Sequence, residues 1–228
     1  MRLTLFDLDN TLISGDSDYE WAQYLIDLGV LDRSEYEQRN LEFYAQYKAG
    51  TLDITAFLAF ALRPLAQHPL DQLEAWRYDF LQTRILPLIS PAARAQVAEE
   101  QARSALTAIV TATNSFVTAP IAAALNVQHL IATEPARGAD GRFTGAVAGL
   151  PSFREGKIAR VHDWLQSLGH DWTQFTQTCF YSDSLNDLPL LQQVSEPIAV
   201  DPDPTLAAHA AQAGWPVLSL RLANPITN

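Results

Sequence analysis

The chain is short of cysteine, of basic residues and of long apolar runs, and each shortage removes a class of answer. Its single cysteine, Cys179, rules out an internal disulfide and a multi-cysteine zinc site. Followed by Phe180 and Tyr181, it reads as a buried strand thiol. Lys and Arg together number 15 against 26 Asp and Glu, a net charge of −11. That balance argues against nucleic acid and anionic membrane surfaces, which select basic patches. A phosphate-bearing ligand would need a local positive centre in this negative field. No apolar run approaches the ~18 residues that cross a bilayer, and the first residues lack the pattern of a secretory signal, so the expected location is the cytoplasm. His68, His129, His162, His170 and His209 show no ligand spacing and read as surface or core residues. What is present suffices for a packed interior. Hydrophobic residues make up 48% of 228 positions, enough for one good-sized domain or a core with a smaller insert. The oligomeric state is left open.

Short apolar runs recur with helical stretches between them. The candidate strands are Leu3–Asp7, Leu106–Thr111, His129–Thr133, Cys179–Ser182, Pro197–Val200 and Pro216–Leu220. Ser90-Pro91 caps and opens a helix over Ala92–Arg103. Helical spacing of Ile158, Val161, Trp164, Leu165 and Leu168 marks Gly156–Leu168, stopped by Gly169. Further helices are expected over Leu185–Val194 and Pro204–Ala213. The alternation predicts an α/β fold with a doubly wound, mainly parallel, Rossmann-like sheet. Ligands of such sheets bind outside the carboxyl ends of the strands.

About ninety residues separate the first two strands, far more than one crossover helix needs. Residues 15–85 are rich in helical signals and aromatics, and read as an inserted helical cap over a core formed by 1–14 and 86–228. The aromatics are taken as helix packing. The cap leaves and rejoins the sheet at Ser14-Gly15 and near Leu86-Pro87, the expected hinges. Gly138–Gly145 contains an Asp-Gly turn and reads as a small β-hairpin flap.

The most informative stretch is Phe6-Asp7-Leu8-Asp9-Asn10-Thr11-Leu12. Side chains of a strand repeat with period 2, so Asp7 and Asp9 would start on one side of the chain. Two like charges at the end of a buried strand are costly unless a cation or proton intervenes. Three further clusters sit near later strand ends or helix starts: Thr111 in Ala108-Ile109-Val110-Thr111-Ala112-Thr113-Asn114, Lys157, and the pair Asp183 and Asp187 in Tyr181-Ser182-Asp183-Ser184-Leu185-Asn186-Asp187. Each alone has a bland reading as a turn, cap or solvated residue. Together, in this order, they resemble the haloacid dehalogenase superfamily of phosphohydrolases. The likeness runs from residue 3 to about 201, and the large helical insert after the first motif is similar to the phosphoserine-phosphatase-like branch.

That resemblance implies a Mg2+-dependent phosphomonoester hydrolase. Phosphoryl transfer needs an in-line nucleophile and neutralised equatorial oxygens, and a carboxylate can serve as nucleophile through an aspartyl-phosphate. By resemblance Asp7 is that nucleophile, and Asp9 protonates the leaving alcohol and then activates water. Thr111 and Lys157 bind the transferring group. Asp7, the backbone carbonyl of Asp9, and Asp183 hold the metal, with Asp187 steadying its waters and Lys157. Asp16, Thr11, Thr113 and Asn186 are the expected substrate-side residues.

Two departures bear on the substrate. Thr111-Ala112-Thr113 stands where phosphoserine phosphatases commonly have Ser-Gly-Gly, and Ser182 replaces the glycine that usually opens the last motif. In an ungapped comparison Ala61 takes the place of a carboxylate-binding cap arginine, with Arg63 out of register. An arginine is the natural bidentate partner of a carboxylate, so its absence points away from phosphoserine. Acidic Asp16, Asp18 and Glu20 suit a phosphorylated amino alcohol such as histidinol phosphate. Phosphoserine phosphatase and a phosphotransferase are the alternatives within the superfamily. A receiver-like signalling protein and a silent phosphate-binding protein are those outside it; receivers are about half this length and lack the insert.

Overall fold

The computed structural model describes residues 1–221. Six strands, β1 (Arg2–Phe6), β2 (Leu106–Asn114), β3 (His129–Thr133), β6 (Gln177–Ser182), β7 (Glu196–Val200) and β8 (Val217–Leu218), form one sheet in the order β3-β2-β1-β6-β7-β8. Every neighbouring pair in it is parallel. The chain runs outward from β1 to β3 and then returns to β6 on the other side of β1. The strand order therefore reverses between β1 and β6, the place where doubly wound sheets open a crevice for ligands. β4 (Pro135–Arg137) and β5 (Phe143–Val147) pair antiparallel as the expected flap. Cys179 is fully buried in β6, as read from its neighbours.

Period-2 alternation distributes the strand side chains between two helical layers. Leu3 and Leu5 of β1 pack with Ala108, Val110, Phe180 and Ala199 against α8 (Glu155–Ser167), α9 (Leu188–Leu191) and α10 (Pro204–Ala213). Phe6, Ile109, Tyr181 and Val200 face α6 (Pro91–Arg103) and α7 (Ser115–Ala124). On that second face Glu100 of α6 is fully buried beneath the sheet. It accepts from Arg2 Nε at 3.1 Å, Thr4 Oγ1 at 2.8 Å, Tyr181 OH at 2.8 Å and Arg103 Nη2 at 2.8 Å. A buried carboxylate so surrounded is satisfied and fixes α6 to the sheet.

Between β1 and β2 lie α1 (Ser17–Asp27), α2 (Arg33–Ala49), α3 (Ile54–Ala61), α4 (Arg63–Gln67) and α5 (Leu70–Phe80). A π turn over Leu81–Ile85 and a 3₁₀ turn over Leu86–Leu88 lead from α5 back to α6. Asp16, Asp32 and Asp53 cap α1, α2 and α3 by accepting backbone N–H bonds. The outgoing and returning segments run side by side, Ser14 N donating to Leu88 O at 2.9 Å. No helix of the described residues is long and apolar enough to cross a membrane.

Two helices differ from expectation. The segment Leu185–Val194 is a 3₁₀ turn, Leu185–Asp187, followed by only four α-helical residues. Ser184 caps the turn, Pro189 lacks the N–H a longer helix would use, and the chain must be free to enter β7 at Glu196. Helix α7 was not foreseen, and it contains Pro120. Proline there leaves the carbonyl of Phe116 without its intrahelical donor, and Arg77 of α5 supplies one at 3.0 Å while its guanidinium lies 4.4 Å from the Phe116 ring centroid.

Candidate active site

β1 ends at Phe6, and Asp7 continues its alternation onto the α8 side, with Asp7 N still donating to Tyr181 O at 2.9 Å. The chain then turns: Asn10 takes a φ of 58° and Leu8 O accepts from Leu12 and Ile13. The strand alternation therefore stops before Asp9, and the two aspartates take different hydrogen-bond partners. Asp7 Oδ1 accepts from Lys157 Nζ at 2.8 Å, and its Oδ2 lies 3.3 Å from Thr11 Oγ1. Asp9 Oδ2 instead accepts from Thr111 at 3.1 Å and Thr113 at 2.8 Å, while its Oδ1 accepts from Ser17 N at 2.7 Å. Thr111 and Thr113 are two apart on β2, which is why both hydroxyls reach one oxygen.

Lys157 enters from the first turn of α8 and is buried. It also donates to Asp187 at 2.7 Å. Burial alone would lower its pKa, but the charges of Asp187 and Asp7 overcome that and raise it. Asp187 additionally accepts from Ser182 Oγ at 2.8 Å. Asp183 lies 3.1 Å from Thr11 Oγ1. That hydroxyl carries one hydrogen and stands between Asp183 and Asp7, so it satisfies one of them at a time. Burial, then the charges of Asp7 and Asp187, drive the Asp183 carboxyl well above the ordinary range. Asp7 is raised likewise, by burial first, against the opposing pull of Lys157. Two carboxylates, Asp7 and Asp187, thus converge on one lysine, and Asp183 stands beside them across Thr11.

The residues that could hold a hard divalent cation are Asp7 and Asp183. Asp7 and Asp183 offer only oxygen donors, and Lys157 pairs with Asp7 and Asp187. No group of three or more His, Cys, Asp or Glu side chains is arranged to hold a metal among those residues. A site of two carboxylates, a backbone carbonyl and waters is the kind that Mg2+, which dehydrates reluctantly, prefers.

The haloacid dehalogenase-like hydrolase family matches residues 4–192. The chain belongs to that family. It is 45% identical over 220 residues to a histidinol-phosphatase of Neisseria meningitidis serogroup C (strain 8013), covering 96% of this chain and 99% of the other. A crystal structure of a protein of unknown function from Bordetella pertussis Tohama I superposes with a TM-score of 0.90 at 47% identity, covering 96% and 98% of the two chains. A phospho-aspartyl intermediate analogue of phosphoserine phosphatase matches with a TM-score of 0.67 at 20% identity over 96% and 93%, a likeness of fold.

Asp7, Thr11, Lys157, Asp183 and Asp187 form one hydrogen-bonded cluster, and Asp9 with Thr111 and Thr113 forms a second beside it. Two further expected residues are engaged in local bonds. Asp16 is exposed, with its carboxylate occupied as the cap of α1. Asn186 Oδ1 accepts from Arg154 Nε at 3.1 Å and Nη2 at 2.8 Å, and its Nδ2 reaches toward Tyr47 O at 3.4 Å. It orders the last loop.

Three residues that bond to this cluster or to the loop that carries it were not found by sequence reasoning. Ser17 is buried and its N–H holds Asp9. Tyr47, near the end of α2, donates to Ser184 Oγ at 2.7 Å. Arg154 bridges the last loop to α2 by a second bond, Nη2 to Gly50 O at 2.7 Å, from a backbone held at φ 49°, ψ −121°. A non-glycine residue in that region is strained, and such strain persists where the surroundings enforce it. The only signal for Arg154 was its place three residues before Lys157.

Proposed function

We propose that this phosphatase hydrolyses histidinol phosphate with Mg2+ through an aspartyl-phosphate on Asp7. The observation that carries the chemistry is the convergence of Asp7, Thr11, Lys157 and Asp183 at the carboxyl ends of β1 and β6. An oxygen of Asp7 attacks phosphorus in line, forming the Asp7–phosphorus bond as the ester oxygen departs. Asp9 gives that oxygen a proton, and in the second half takes one from the water that attacks the aspartyl-phosphate. Inorganic phosphate leaves and Asp7 is regenerated. Thr111, Thr113 and the Ser17 N–H hold the Asp9 carboxylate by both oxygens, which fixes its direction for both transfers. Lys157 orients Asp7 and offers positive charge to the transferring group, with Asp187 keeping it in place. Mg2+, held by Asp7, Asp183 and the carbonyl of Asp9, would supply neutralisation of the phosphoryl oxygens.

The substrate rests on the 45% identity over nearly the full length of both chains with the Neisseria histidinol-phosphatase. Phosphoserine is disfavoured by the cap. Ala61 lines its crevice, and Arg63 is engaged with Glu35 at 2.8 Å and with Tyr36 OH at 3.3 Å, so neither offers a free guanidinium to a carboxylate. The test is a Mg2+-dependent panel of histidinol phosphate, phosphoserine and p-nitrophenyl phosphate, with product analysis in added alcohols. Highest kcat/KM on histidinol phosphate with water as acceptor is expected. Preference for phosphoserine, or transfer to alcohol instead of water, would overturn the assignment.

A further inference from the structure

A continuous line of hydrogen bonds runs from the cap helix α2 to Asp7. Tyr47 OH donates to Ser184 Oγ at 2.7 Å. Ser184 N donates to Ser182 Oγ at 3.2 Å, and Ser182 Oγ donates to Asp187 at 2.8 Å. Lys157 Nζ then joins Asp187, at 2.7 Å, to Asp7, at 2.8 Å. Ser182, Ser184, Asp187, Lys157 and Asp7 are all buried, so a broken link leaves a group unpaired rather than hydrated. Ser182 is the pivot. A hydroxyl carries one proton, and because the Ser182 oxygen accepts from Ser184 N, that proton is left for Asp187. At the cap end, burial and then the charges of Asp187, Asp183 and Asp7 hold the Tyr47 pKa above its ordinary value, so the phenol stays a donor.

We propose that Tyr47 and Ser182 are positioning residues that transmit the seating of α2 to Lys157 and Asp7, so that the nucleophile is fully aimed only when α2 rests on the last loop. The inference rests on the phosphatase reading and adds a regulation of its site. Neither residue is assigned a contact with a reacting atom; both act through the groups between them and Asp7. Ser184 is the point where the cap takes hold. Its Oγ also accepts from Asn186 N at 3.2 Å, so it caps the turn that carries Asp187. Drawing Tyr47 away removes the donor that fixes the Ser184 side chain, and the N–H of the same residue is what directs the Ser182 proton. If Tyr47 only fastened the cap, its removal would cost the same whether or not Ser182 had a hydroxyl. If it acts along this line, the cost disappears once residue 182 can no longer pass it on.

The test is a double-mutant cycle of Tyr47→Phe and Ser182→Ala in the full-length protein. The first readout is kcat on p-nitrophenyl phosphate with saturating Mg2+. The second is the side-chain 15N resonance of Lys157, which involves no ester. Each single variant should lose roughly tenfold in kcat, since small misplacements of reacting groups are costly, and the double variant should be little worse than the poorer single. Tyr47→Phe should shift the Lys157 resonance in the wild-type background and leave it in place in the Ser182→Ala background. Losses that multiply to about a hundredfold, or single variants with wild-type kcat, would overturn the proposal. So would a Lys157 resonance indifferent to Tyr47→Phe, a measurement that stands even where Ser182→Ala does not fold. Absence of turnover by the wild type on every ester would instead defeat the phosphatase reading, and the Lys157 resonance would still decide the relay.

Discussion

Lys157 reaches Asp7 only because Gly156 lets α8 start where it does. A Cβ built on Gly156 falls 2.2 Å from the carbonyl oxygen of Pro151, where ordinary contact begins at 3.4 Å. The obstacle is backbone and cannot rotate away. Gly156→Ala must therefore displace the first turn of α8, or the Pro151 segment, by roughly 1 Å. Stability should change little. Overpacking costs about 1–3 kcal/mol, and alanine in place of glycine in a helix returns about 1 kcal/mol. The net is a loss of about 1 kcal/mol, or about 2–4 °C in melting temperature for a chain of this size. Activity should change much more, because Lys157 sits on the displaced turn with bonds of 2.8 and 2.7 Å to Asp7 and Asp187. A misplacement of about 1 Å can cost on the order of 100-fold in rate. The assay is turnover of p-nitrophenyl phosphate with Mg2+ beside a thermal melt of the same preparation. Wild-type kcat in a variant whose crystal structure retains alanine at 156 would refute the reasoning.

Asp7→Asn should lose turnover by roughly 10⁴-fold or more, as removal of a nucleophile does, with an unaltered circular dichroism spectrum; residual activity within tenfold would remove Asp7 from the chemistry. Arg154→Ala and Arg154→Gly both delete three side-chain hydrogen bonds, but only glycine relieves the positive φ. Since such strain costs about 1–3 kcal/mol, the glycine variant should be the more stable by about 1 kcal/mol in urea unfolding, and equal midpoints would mean the backbone there is relaxed. For Glu100, burial pushes the pKa up, and the hydrogen bonds from Arg2, Thr4 and Tyr181 outweigh it to leave a net lowering. A carboxyl depressed by folding contributes stability above its unfolded value of about 4.3 and loses it as pH falls through the folded one. Glu100→Gln should thus be less stable than wild type by roughly 3 kcal/mol at pH 7, with the gap closing in denaturant midpoints taken down to about pH 3; a gap independent of pH would contradict the charge account.

The sheet was legible because its strands are short apolar runs. His129–Thr133 and the helix Pro204–Ala213 lie at the very bounds their sequence suggests. Helix α7 was missed because Pro120 reads as a breaker, and nothing local announces that Arg77, far away on α5, will donate to the carbonyl the proline strands. The cluster of Asp7, Thr11, Lys157, Asp183 and Asp187 was legible from motif order, since each residue follows a strand end or opens a helix. The hydrogen-bond partners of Asp9 were not. Strand alternation assumes the strand continues, and here it ends at Phe6 and turns at Asn10. Tyr47 and Arg154 act across sequence separations of 137 and 104 residues, through contacts set by tertiary packing. No local pattern encodes such contacts.

The packing also decides how a site so enclosed can admit substrate. Residues 15–85 are not attached evenly. Trp21 of α1 stacks edge-on against Phe80 and Phe116 at 5.2 and 6.1 Å, within one apolar cluster that includes Val117 and Ile121 of α7 and Phe6 of β1. Separating α1 and α5 from the sheet would expose several aromatic side chains, each worth about 1.5–3 kcal/mol of burial. A swing of all five helices about Ser14-Gly15 and Leu86-Pro87 is therefore expensive. By contrast α2 meets the catalytic loop through polar bonds, Tyr47 to Ser184 and Arg154 to Gly50, which water can replace at a net cost of about 1 kcal/mol each. The element that opens is thus α2 with α3, hinged on a fixed α1. Such a movement would free Ser184 and Asn186 from Tyr47, so the order of the last loop and access to Asp7 would change together. A disulfide joining α1 to α7 should leave turnover intact, whereas one joining the end of α2 to the Ser184 loop should suppress it, and suppression by the first with none by the second would assign the motion to the whole insert.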